Sequence, residues 1–288
     1  MTTDRARIEL PDGRSVGYAD YGPGDTAVVW CHGGPGSRLE PQALAPFARD
    51  AGLRIVGIDR PGYGDSTPRP GRTIADWVPD ALAVADRLGI DRFVTVGVST
   101  GGAYALALAA RSARVRASVA CCALTDMRWA EGKAMMTRDG GQVARIWAAP
   151  DREAALAVAL ESFGQDGGKL LAGAASGPAL PPADLALLGN PEWVAGFVSG
   201  LPVLFAHGVQ GYVDDRLADG PGWGSFDVAA IRCPVTVLHG GRDTIVPLAH
   251  AHHTASLVPG AQLRVFGELG HFSIVQEVLG AVGELFAS

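Results

Sequence analysis

The segment that runs from Val94 to Ala110 constrains the fold of this chain most strongly. It reads as a hydrophobic strand, then the turn Gly97-Val98-Ser99-Thr100-Gly101, then an alanine-rich helix. Glycines at positions 97 and 101 remove the side chains that would collide where a strand turns sharply into a helix. Ser99 is therefore expected in a strained backbone conformation, with its hydroxyl projecting above the end of a sheet. The pattern predicts an α/β architecture and a serine nucleophile.

The Gly-x-Ser-x-Gly motif alone is weak evidence, because it occurs by chance in a chain with 39 glycines. Two further residues make it specific. Asp243 follows the buried-looking strand Pro234 to Leu238, and His271 follows the short strand Leu263 to Phe266. Residues just past the carboxyl ends of parallel strands lie at the edge of the sheet where ligands bind. Ser99, Asp243 and His271 are therefore predicted to converge there, with the imidazole as general base and the carboxylate orienting it.

The glycine-rich loop after an early strand predicts the other part of an acyl-transfer site, an oxyanion hole. Ala27 to Cys31 reads as a strand, and His32-Gly33-Gly34-Pro35-Gly36 follows it with exposed backbone amides. We expect the amides of Gly34 and Thr100 to bind the oxyanion. Four neighbouring residues are expected to support these donors and the nucleophile: His32, Gly33, Gly97 and Gly101.

Five segments of the chain resemble the motifs of the α/β-hydrolase superfamily. They are His32 to Gly36, Asp59 to Ser66, Gly97 to Gly101, Gly240 to Asp243 and Gly270 to Phe272. The first of these, His-Gly-Gly-Pro-Gly, is shared with the branch that contains the proline iminopeptidases. The resemblance implies a mostly parallel central sheet with helices on both faces and a helical cap inserted after the sixth strand. It also implies that the second segment shapes the floor of the active site.

Some members of this superfamily take the acid from the strand that follows the nucleophile helix. Asp126 stands just past that strand in this sequence and is the alternative to Asp243. We favour Asp243 because the geometry and role of a residue define a triad, rather than its position along the chain.

The resemblance and the three predicted residues imply a serine hydrolase that cleaves an ester or amide bond of a small to medium acyl substrate through an acyl-enzyme. A proline iminopeptidase-type aminopeptidase is the main alternative, although those enzymes usually place a Trp beside the nucleophile, where this chain has Val98 and Thr100. Such an enzyme would need a cap carboxylate to bind a free amino terminus, and the candidates are Glu161, Glu192, Asp214 and Asp215. A ligand-binding homologue without turnover and a cofactor-free lyase or perhydrolase stay open, since one fold hosts many activities.

The order of predicted elements divides the chain into a core and a cap. Strands and helices alternate up to about residue 124 and resume near residue 228, as expected for a parallel sheet with helices on both faces. Residues 125–227 lose this rhythm and read as helices, then a Gly/Pro-rich stretch after Phe163, then the acidic and aromatic segment Gly211 to Gly224. We predict a core of residues 1–124 and 228–288 and a cap of residues 125–227 that excludes water from the site. The segment Gly211 to Gly224 is expected to line its entrance.

Composition and charge favour a small-molecule substrate over larger partners. A net charge of −6 and a pI near 5.6 provide no basic surface for nucleic acid. No run approaches the roughly 18 apolar residues of a membrane-spanning helix. The first residues lack the apolar stretch of a signal peptide, so the expected location is the cytoplasm. The oligomeric state is left open, with a homo-oligomer as an alternative to a monomer.

The sequence predicts neither a cofactor nor a metal site. Cys31, Cys121, Cys122 and Cys233 match no disulfide scaffold or zinc site and are expected to be buried free thiols. A further cluster of ligand-type residues lies on a predicted helix after Pro247: His250, His252 and His253. It is expected to form a solvated face, because no carboxylate or cysteine follows at ligand spacing.

Overall fold

An eight-stranded sheet organises this protein, and the computed structural model describes residues 4–170 and 179–287 of the chain. The strands are β1 (Asp4–Glu9), β2 (Ser15–Asp20), β3 (Thr26–Cys31), β4 (Leu53–Ile58), β5 (Phe93–Val98), β6 (Val115–Cys121), β7 (Val235–Gly240) and β8 (Gln262–Phe266). Their order across the sheet is β1-β2-β4-β3-β5-β6-β7-β8. The pairs β1–β2 and β2–β4 are antiparallel, and every other pair is parallel. The predicted, mostly parallel sheet is confirmed.

Helices cover both faces of this sheet, as predicted. They are α1 (Ala45–Asp50), α2 (Val78–Arg87), α3 (Gly101–Arg111), α4 (Ala130–Thr137), α5 (Gln142–Trp147), α6 (Arg152–Phe163), α7 (Pro182–Leu188), α8 (Pro191–Leu204), α9 (Gln210–Asp219), α10 (Leu248–Leu257) and α11 (Val278–Ala287). Helices α2, α3 and α10 pack on one face, and α1 and α11 pack on the other. Within the two described ranges, no helix combines the length and the apolar character needed to cross a bilayer.

Strand β3 shows why both faces become buried. Successive side chains of a strand point to opposite faces. Val28 and Trp30 accordingly join the core beneath α1 and α11, whereas Val29 and Cys31 join the core beneath α2 and α3. Because both sets are apolar, the strand reads as one continuous hydrophobic run, which is the pattern of a parallel strand covered on both sides.

In its described part, the chain between β6 and β7 contains the helices α4 to α9, joined by turns, and no strand. Apolar residues of α5, α6, α8 and α9, among them Ile146, Phe163 and Val213, form a core of their own. Tyr63, from the loop after β4, packs into this third core and joins it to the sheet. The predicted loss of the strand–helix rhythm is therefore seen, while the cap boundaries at residues 125 and 227 stay a prediction.

The structure adds detail to two segments of this region. The Gly/Pro-rich stretch after Phe163 contains the helices α7 and α8, although residues 171–178 lie outside the described part of the chain. Pro182 and Pro191 open these helices, a position that tolerates proline because no intrahelical donor is needed there. The segment Gly211 to Gly224 begins inside α9 and most of it is buried, and its place at the entrance stays a prediction.

The cysteines of the described chain are free thiols, as expected. Cys31, Cys121 and Cys122 are buried at the ends of β3 and β6. Cys233 is partly exposed because it precedes β7 on the connection from α9, so the expectation of burial is only partly met for it.

Candidate active site

Ser99 lies in the sharp turn between β5 and α3. Its φ angle is +53°, which is rare for a residue with a side chain and costs about 1–3 kcal/mol of strain. Two backbone hydrogen bonds hold the turn: the Ser99 amide donates to Cys121 O at 2.9 Å, and the Gly102 amide donates to Ser99 O at 3.0 Å. Ser99 is partly exposed, whereas its neighbour Thr100 is buried. The turn thus presents one hydroxyl at the carboxyl edge of the sheet.

The glycines on either side of Ser99 are required by the close approach of the backbone. A Cβ atom on Gly97 would lie 2.2 Å from Gly101 O, and a Cβ atom on Gly101 would lie 2.0 Å from Cys31 O. Real Cβ atoms do not approach backbone oxygens so closely, so any larger residue would displace α3 or β3. This packing is the physical reason for the Gly-x-Ser-x-Gly spacing in the sequence.

Asp243 and His271 form a hydrogen-bonded pair. His271 Nδ1 lies 2.7 Å from Asp243 Oδ2, which joins the loop after β7 to the loop after β8. The other carboxylate oxygen of Asp243 accepts from the amides of Ile245 and Val246, each at 2.8 Å. The carboxylate is therefore fixed in orientation, and a neutral imidazole that donates from Nδ1 keeps Nε2 available as a proton acceptor.

The protonation of this pair follows from its surroundings. Burial favours the neutral carboxyl, but the adjacent His271 outweighs it and lowers the pKa of Asp243. Burial likewise disfavours the imidazolium, yet the Asp243 carboxylate at Nδ1 favours it, and the pKa of His271 lies well above its ordinary value. The pair is thus arranged to stabilise a positively charged imidazole, which is the form that a general base reaches after taking a proton.

Cys122 is a neighbour of the pair that the sequence did not point to. It follows β6 with a φ angle of +41°, and its thiol donates to His271 O at 3.5 Å. One ligand-type atom of each of Cys122, Asp243 and His271 lies within 4.8 Å of the others. Burial raises the pKa of the Cys122 thiol well above its ordinary value, so the group is a neutral thiol. The only feature of the sequence that could have indicated Cys122 is its position directly after a strand of the sheet.

Ser99 and His271 lie on either side of the segment Cys121–Cys122. The Ser99 amide donates to Cys121 O, and the Cys122 thiol donates to His271 O. In the part of the chain that the structure describes, the Ser99 hydroxyl itself makes no hydrogen bond, so the contact between Ser99 and His271 is not formed in this conformation. Catalytic hydrogen bonds are often long before substrate binds and tighten in the complex.

The predicted oxyanion donors lie side by side. A Cβ atom on Gly34 would lie 2.7 Å from Thr100 Oγ1, and one on Gly33 would lie 3.8 Å from Ser99 Cβ. The Gly33 amide donates to Glu40 Oε2 at 2.8 Å. Among the described residues, the amides of Gly34 and Thr100 have no acceptor, so both are free to bind an oxygen atom of a ligand.

His32 holds the glycine loop in place. One ring nitrogen, Nε2, accepts from the Arg60 amide at 3.1 Å, and the other, Nδ1, lies 2.7 Å from Gly33 O. Burial lowers the pKa of His32 well below its ordinary value, so the ring is neutral. Arg60 adds hydrogen bonds to His32 O and to Gly33 O, the latter at 2.7 Å. These contacts give His32 and Arg60 a structural role in the loop.

Asp126, the alternative acid, has other partners. Its Oδ1 accepts from the amides of Arg128 and Trp223, at 3.0 and 2.9 Å, and its Oδ2 pairs with the Arg128 guanidinium at 2.6 Å. Burial tends to raise the pKa of Asp126, but these hydrogen bonds lower it below its ordinary value. The structure therefore brings Asp243, and not Asp126, to His271.

The carboxylates considered for binding a substrate amine are largely engaged. Asp215 is buried between Arg60 and Arg72, and Asp214 pairs with Arg152 at 2.6 Å. Glu161 pairs with Arg145 on the surface, and Glu192 is exposed at the start of α8. Three of these four carboxylates are therefore already paired with an arginine.

A carboxylate that the sequence analysis missed contacts the histidine loop. Asp184 on α7 is fully buried, and its Oδ1 accepts from the amide and the hydroxyl of Ser273, at 2.9 and 2.6 Å. A Cβ atom on Gly270 would lie 2.4 Å from Asp184 Oδ2, so both residues that flank the His271–Phe272 pair touch this one side chain. The contact spans 89 residues of chain, and no local pattern marks it.

The expected solvated histidine face is wrong for His250. This residue is fully buried, accepts from the Thr125 amide at 3.3 Å and lies against the Trp129 ring. Burial lowers the pKa of His250 to about 4, so it is neutral. His253 stacks on Trp129 with ring centroids 4.3 Å apart, and only His252 is exposed. The face is covered because the segment after β6 crosses over α10.

A mostly parallel sheet, with a strained serine after β5 and a histidine loop after β8, defines the class of α/β hydrolases. The comparison with known families agrees with this class. The chain belongs to the alpha/beta hydrolase fold family, which it matches over residues 26–278.

Relatives of known name support enzymatic hydrolase activity. The chain is 30% identical over 271 residues to a 2-hydroxymuconate semialdehyde hydrolase of Pseudomonas putida, covering 93% of this chain and 88% of that one. It is 27% identical to a non-heme haloperoxidase of Rhodococcus erythropolis, with 92% of each chain covered.

Solved structures of other proteins share the fold. A hydrolase from Pseudomonas aeruginosa PA01 superposes with a TM-score of 0.70 at 22% identity, over 99% of both chains. A thermophilic esterase from Thermogutta terrifontis superposes with a TM-score of 0.69 at 21% identity, over 99% of this chain and 98% of that one. At this identity the likeness speaks for the fold alone.

Proposed function

We propose that this protein is a serine hydrolase that cleaves an ester bond of a small to medium acyl substrate. The observation that carries the proposal is the 2.7 Å contact between His271 and the immobilised Asp243, at the edge of the sheet that also presents Ser99. The free amides of Gly34 and Thr100 beside Ser99 support it, because acyl transfer needs donors for a developing oxyanion. The names of the esterase and hydrolase relatives are consistent with the same chemistry.

The proposed reaction has two halves. Ser99 Oγ bonds to the carbonyl carbon while His271 Nε2 takes its proton, and Gly34 and Thr100 donate to the carbonyl oxygen as it becomes negative. The carbon–oxygen bond to the leaving alcohol then breaks, and His271 returns the proton to that alcohol. Water next attacks the acyl-enzyme with His271 as base, and the products are the free acid and regenerated Ser99.

The cap of residues 125–227 enters the proposal as a lid over the site. Asp184 on α7 contacts the loop of His271, and the guanidinium of Arg216 on α9 reaches Thr100, so helices between β6 and β7 contact the surroundings of both catalytic groups. A lid of this kind would exclude water from the acyl-enzyme site until substrate is bound.

The aminopeptidase alternative has less support. Its substrates carry a free amino terminus, and three of the four cap carboxylates considered for that group are paired with arginines. The His-Gly-Gly-Pro-Gly string at positions 32 to 36 is the feature that keeps this alternative in view.

The test uses the purified full chain with p-nitrophenyl esters of increasing acyl length, proline p-nitroanilide and a fluorophosphonate probe. We expect ester turnover and covalent labelling, both abolished in Ser99→Ala and retained in Ser256→Ala, a control at an exposed serine. Hydrolysis of the anilide in preference to every ester would favour the aminopeptidase. Ester turnover that survives in Ser99→Ala would overturn the proposal.

A further inference from the structure

We propose that Arg216 is a positioning residue of the oxyanion hole, which holds Thr100 in place and supplies positive charge behind the Gly34 and Thr100 amides. The inference rests on the proposed function, because it assigns to Arg216 a role in the same acyl transfer. The position of this arginine in the sequence, 116 residues after Thr100, gives no hint of the contact.

The contact is direct and buried. Helix α9 carries the Arg216 guanidinium under the glycine loop, where Nη2 donates to Thr100 Oγ1. The same nitrogen would lie 3.5 Å from a Cβ atom on Gly34. Arg216 is 3% exposed and Thr100 is 2% exposed, so water does not screen the interaction. One guanidinium therefore adjoins both residues whose amides are proposed to bind the oxyanion.

The hydrogen bond that the Thr100 hydroxyl accepts shows that Arg216 does more than pack against this residue. Thr100 stands at the N-cap of α3, where a threonine hydroxyl usually accepts from a backbone amide of the first turn. Here the hydroxyl makes no such bond and instead accepts from Arg216. The contact thus replaces a helix cap and fixes the residue directly after the nucleophile.

Arg216 belongs to a buried cluster of charged side chains next to the proposed hole. Arg60 and Arg72 share the single carboxylate of Asp215, and Arg216 pairs with Asp219 at 2.6 Å. These three guanidinium groups share two carboxylates, and the glycine loop binds a third, that of Glu40, through the Gly33 amide. Preorganised charge in a water-excluded site stabilises opposite charge that develops in a transition state, with little reorganisation.

Asp219 is the counter-ion of Arg216, and its protonation state determines how much of the guanidinium charge it neutralises. It is buried and accepts from Trp147 Nε1 at 3.1 Å. Burial raises the pKa of Asp219 to about 7, even though Arg216 acts in the opposite direction. Burial therefore favours the neutral form of Asp219 and weakens its compensation of the Arg216 charge.

The test compares Arg216→Met, Arg216→Lys and Thr100→Val with the wild type. The readouts are kcat and KM for a p-nitrophenyl ester and the inhibition constant of an aryl trifluoromethyl ketone, which forms a tetrahedral anionic adduct with serine. We expect Arg216→Met to lower kcat by about 10- to 100-fold, less than the loss of a direct oxyanion donor. The ketone should bind more weakly by a similar factor, while KM changes little. Arg216→Lys should recover part of the loss.

Thr100→Val tests the hydroxyl separately, since it keeps the backbone amide and the branched shape. We expect a smaller decrease of kcat, about 3- to 10-fold, because only the contact that positions the residue is lost. Arg152→Met is the control: it breaks another arginine–aspartate pair, that of Arg152 on α6 with Asp214 on α9, and neither of these residues bonds Thr100 in the described part of the chain. A merely structural role for Arg216 predicts equal effects of Arg152→Met and Arg216→Met.

The outcomes separate this inference from the proposed function. If Ser99→Ala retains turnover, the proposed function fails and the inference with it. If Ser99→Ala is inactive but folded Arg216→Met keeps kcat and ketone affinity within twofold of the wild type, only the inference is overturned. If Arg216→Met does not fold, Thr100→Val and Arg216→Lys decide, and wild-type kcat in both would refute it.

Discussion

Single side chains at the ends of β5, β7 and β8 hold the groups on which the proposed chemistry depends. Asp243 is the most constrained of them, because two backbone amides fix one of its oxygens and leave the other for His271. A carboxylate held in this way selects one tautomer of the imidazole. Substitution of a single residue in this pair should therefore change the rate of catalysis, and the pair should determine how that rate depends on pH.

Asp243→Asn should lower kcat by about 10⁴-fold for an ester substrate, because an amide at this position can impose the wrong imidazole tautomer and cannot stabilise its charge. The fold should persist, since the amide can still accept from Ile245 and Val246. Asp126→Asn is the control and should keep kcat within a few fold, as that residue contacts Arg128 and Trp223. Steady-state kinetics on the two folded variants decides, and near-normal kcat in Asp243→Asn would reverse the assignment.

The pH profile should report His271. In the proposed reaction its neutral form is the base, and the Asp243 carboxylate raises the pKa of His271 despite burial. The value of kcat/KM should therefore be low at acidic pH and rise only as the pH passes a pKa well above the ordinary value of about 6.5. The measurement is kcat/KM between pH 5 and 10. A rise already complete at pH 6 would contradict the raised pKa.

Elements meet at the site through close contacts at glycines that leave no room for a further side chain. The start of α3 lies against the end of β3, and α7 lies against the loop after β8. Because these contacts are so close, a substitution at one of them also displaces the residues that pack against it. Substitutions at these contacts between elements should therefore lower stability and activity together.

Gly101→Ala should destabilise the protein by about 3 kcal/mol and lower activity, since the new Cβ atom would overlap Cys31 O and displace the glycine loop. Gly196→Ala is the matched control: this glycine lies inside α8, and a Cβ atom there meets nothing within 4 Å. The control should gain up to about 1 kcal/mol from helix propensity. Urea unfolding of both variants provides the comparison, and equal stabilities would refute the packing argument.

Asp184→Ala should destabilise the loop of His271, because the amide and the hydroxyl of Ser273 would lose their buried acceptor. Each unsatisfied group costs about 1–3 kcal/mol. Asp184→Asn retains one acceptor oxygen and should lie between Asp184→Ala and the wild type. Thermal unfolding and kcat should fall in the same order for the two variants. A wild-type kcat in folded Asp184→Ala would show that α7 does not position the histidine.

Across the whole molecule, the helices between β6 and β7 are joined to the sheet by buried charge. Asp215 on α9 bonds Arg60 and Tyr63 from the loop after β4 and also bonds Arg72 and Tyr104. Arg60 and Arg72 outweigh the effect of burial and lower the pKa of Asp215, so this carboxylate stays charged at all ordinary pH values. A buried network of this type is sensitive to the loss of any one partner.

The pH dependence of the stability of the whole protein should show the titration of Asp219. Burial raises its pKa from 3.8 to about 7, so the folded protein keeps a proton that the unfolded chain has already lost. Folding therefore takes up a proton between these pH values, and the contribution of Asp219 to stability falls as pH rises through them. The melting temperature of Asp219→Asn relative to the wild type should accordingly rise from pH 4 to pH 7 and then level off. A difference that stays constant with pH would contradict this.

The sequence alone determined the fold class and the nucleophile turn, because both depend on local regularities. Apolar runs covered on both faces specify parallel strands, and two glycines around a serine specify a turn that no larger residue permits. Asp243 and His271 were likewise predictable, since each follows a strand and therefore reaches the same edge of the sheet.

Only the tertiary structure decided which distant side chains meet. The contacts of Arg216 with Thr100 and of Asp184 with Ser273 join residues 116 and 89 positions apart, and His250 is buried because a remote segment covers it. Periodicity and spacing report on neighbours along the chain, within a strand or a helical turn. Burial and charge pairing are set by packing between elements, and the sequence carries no local record of that packing.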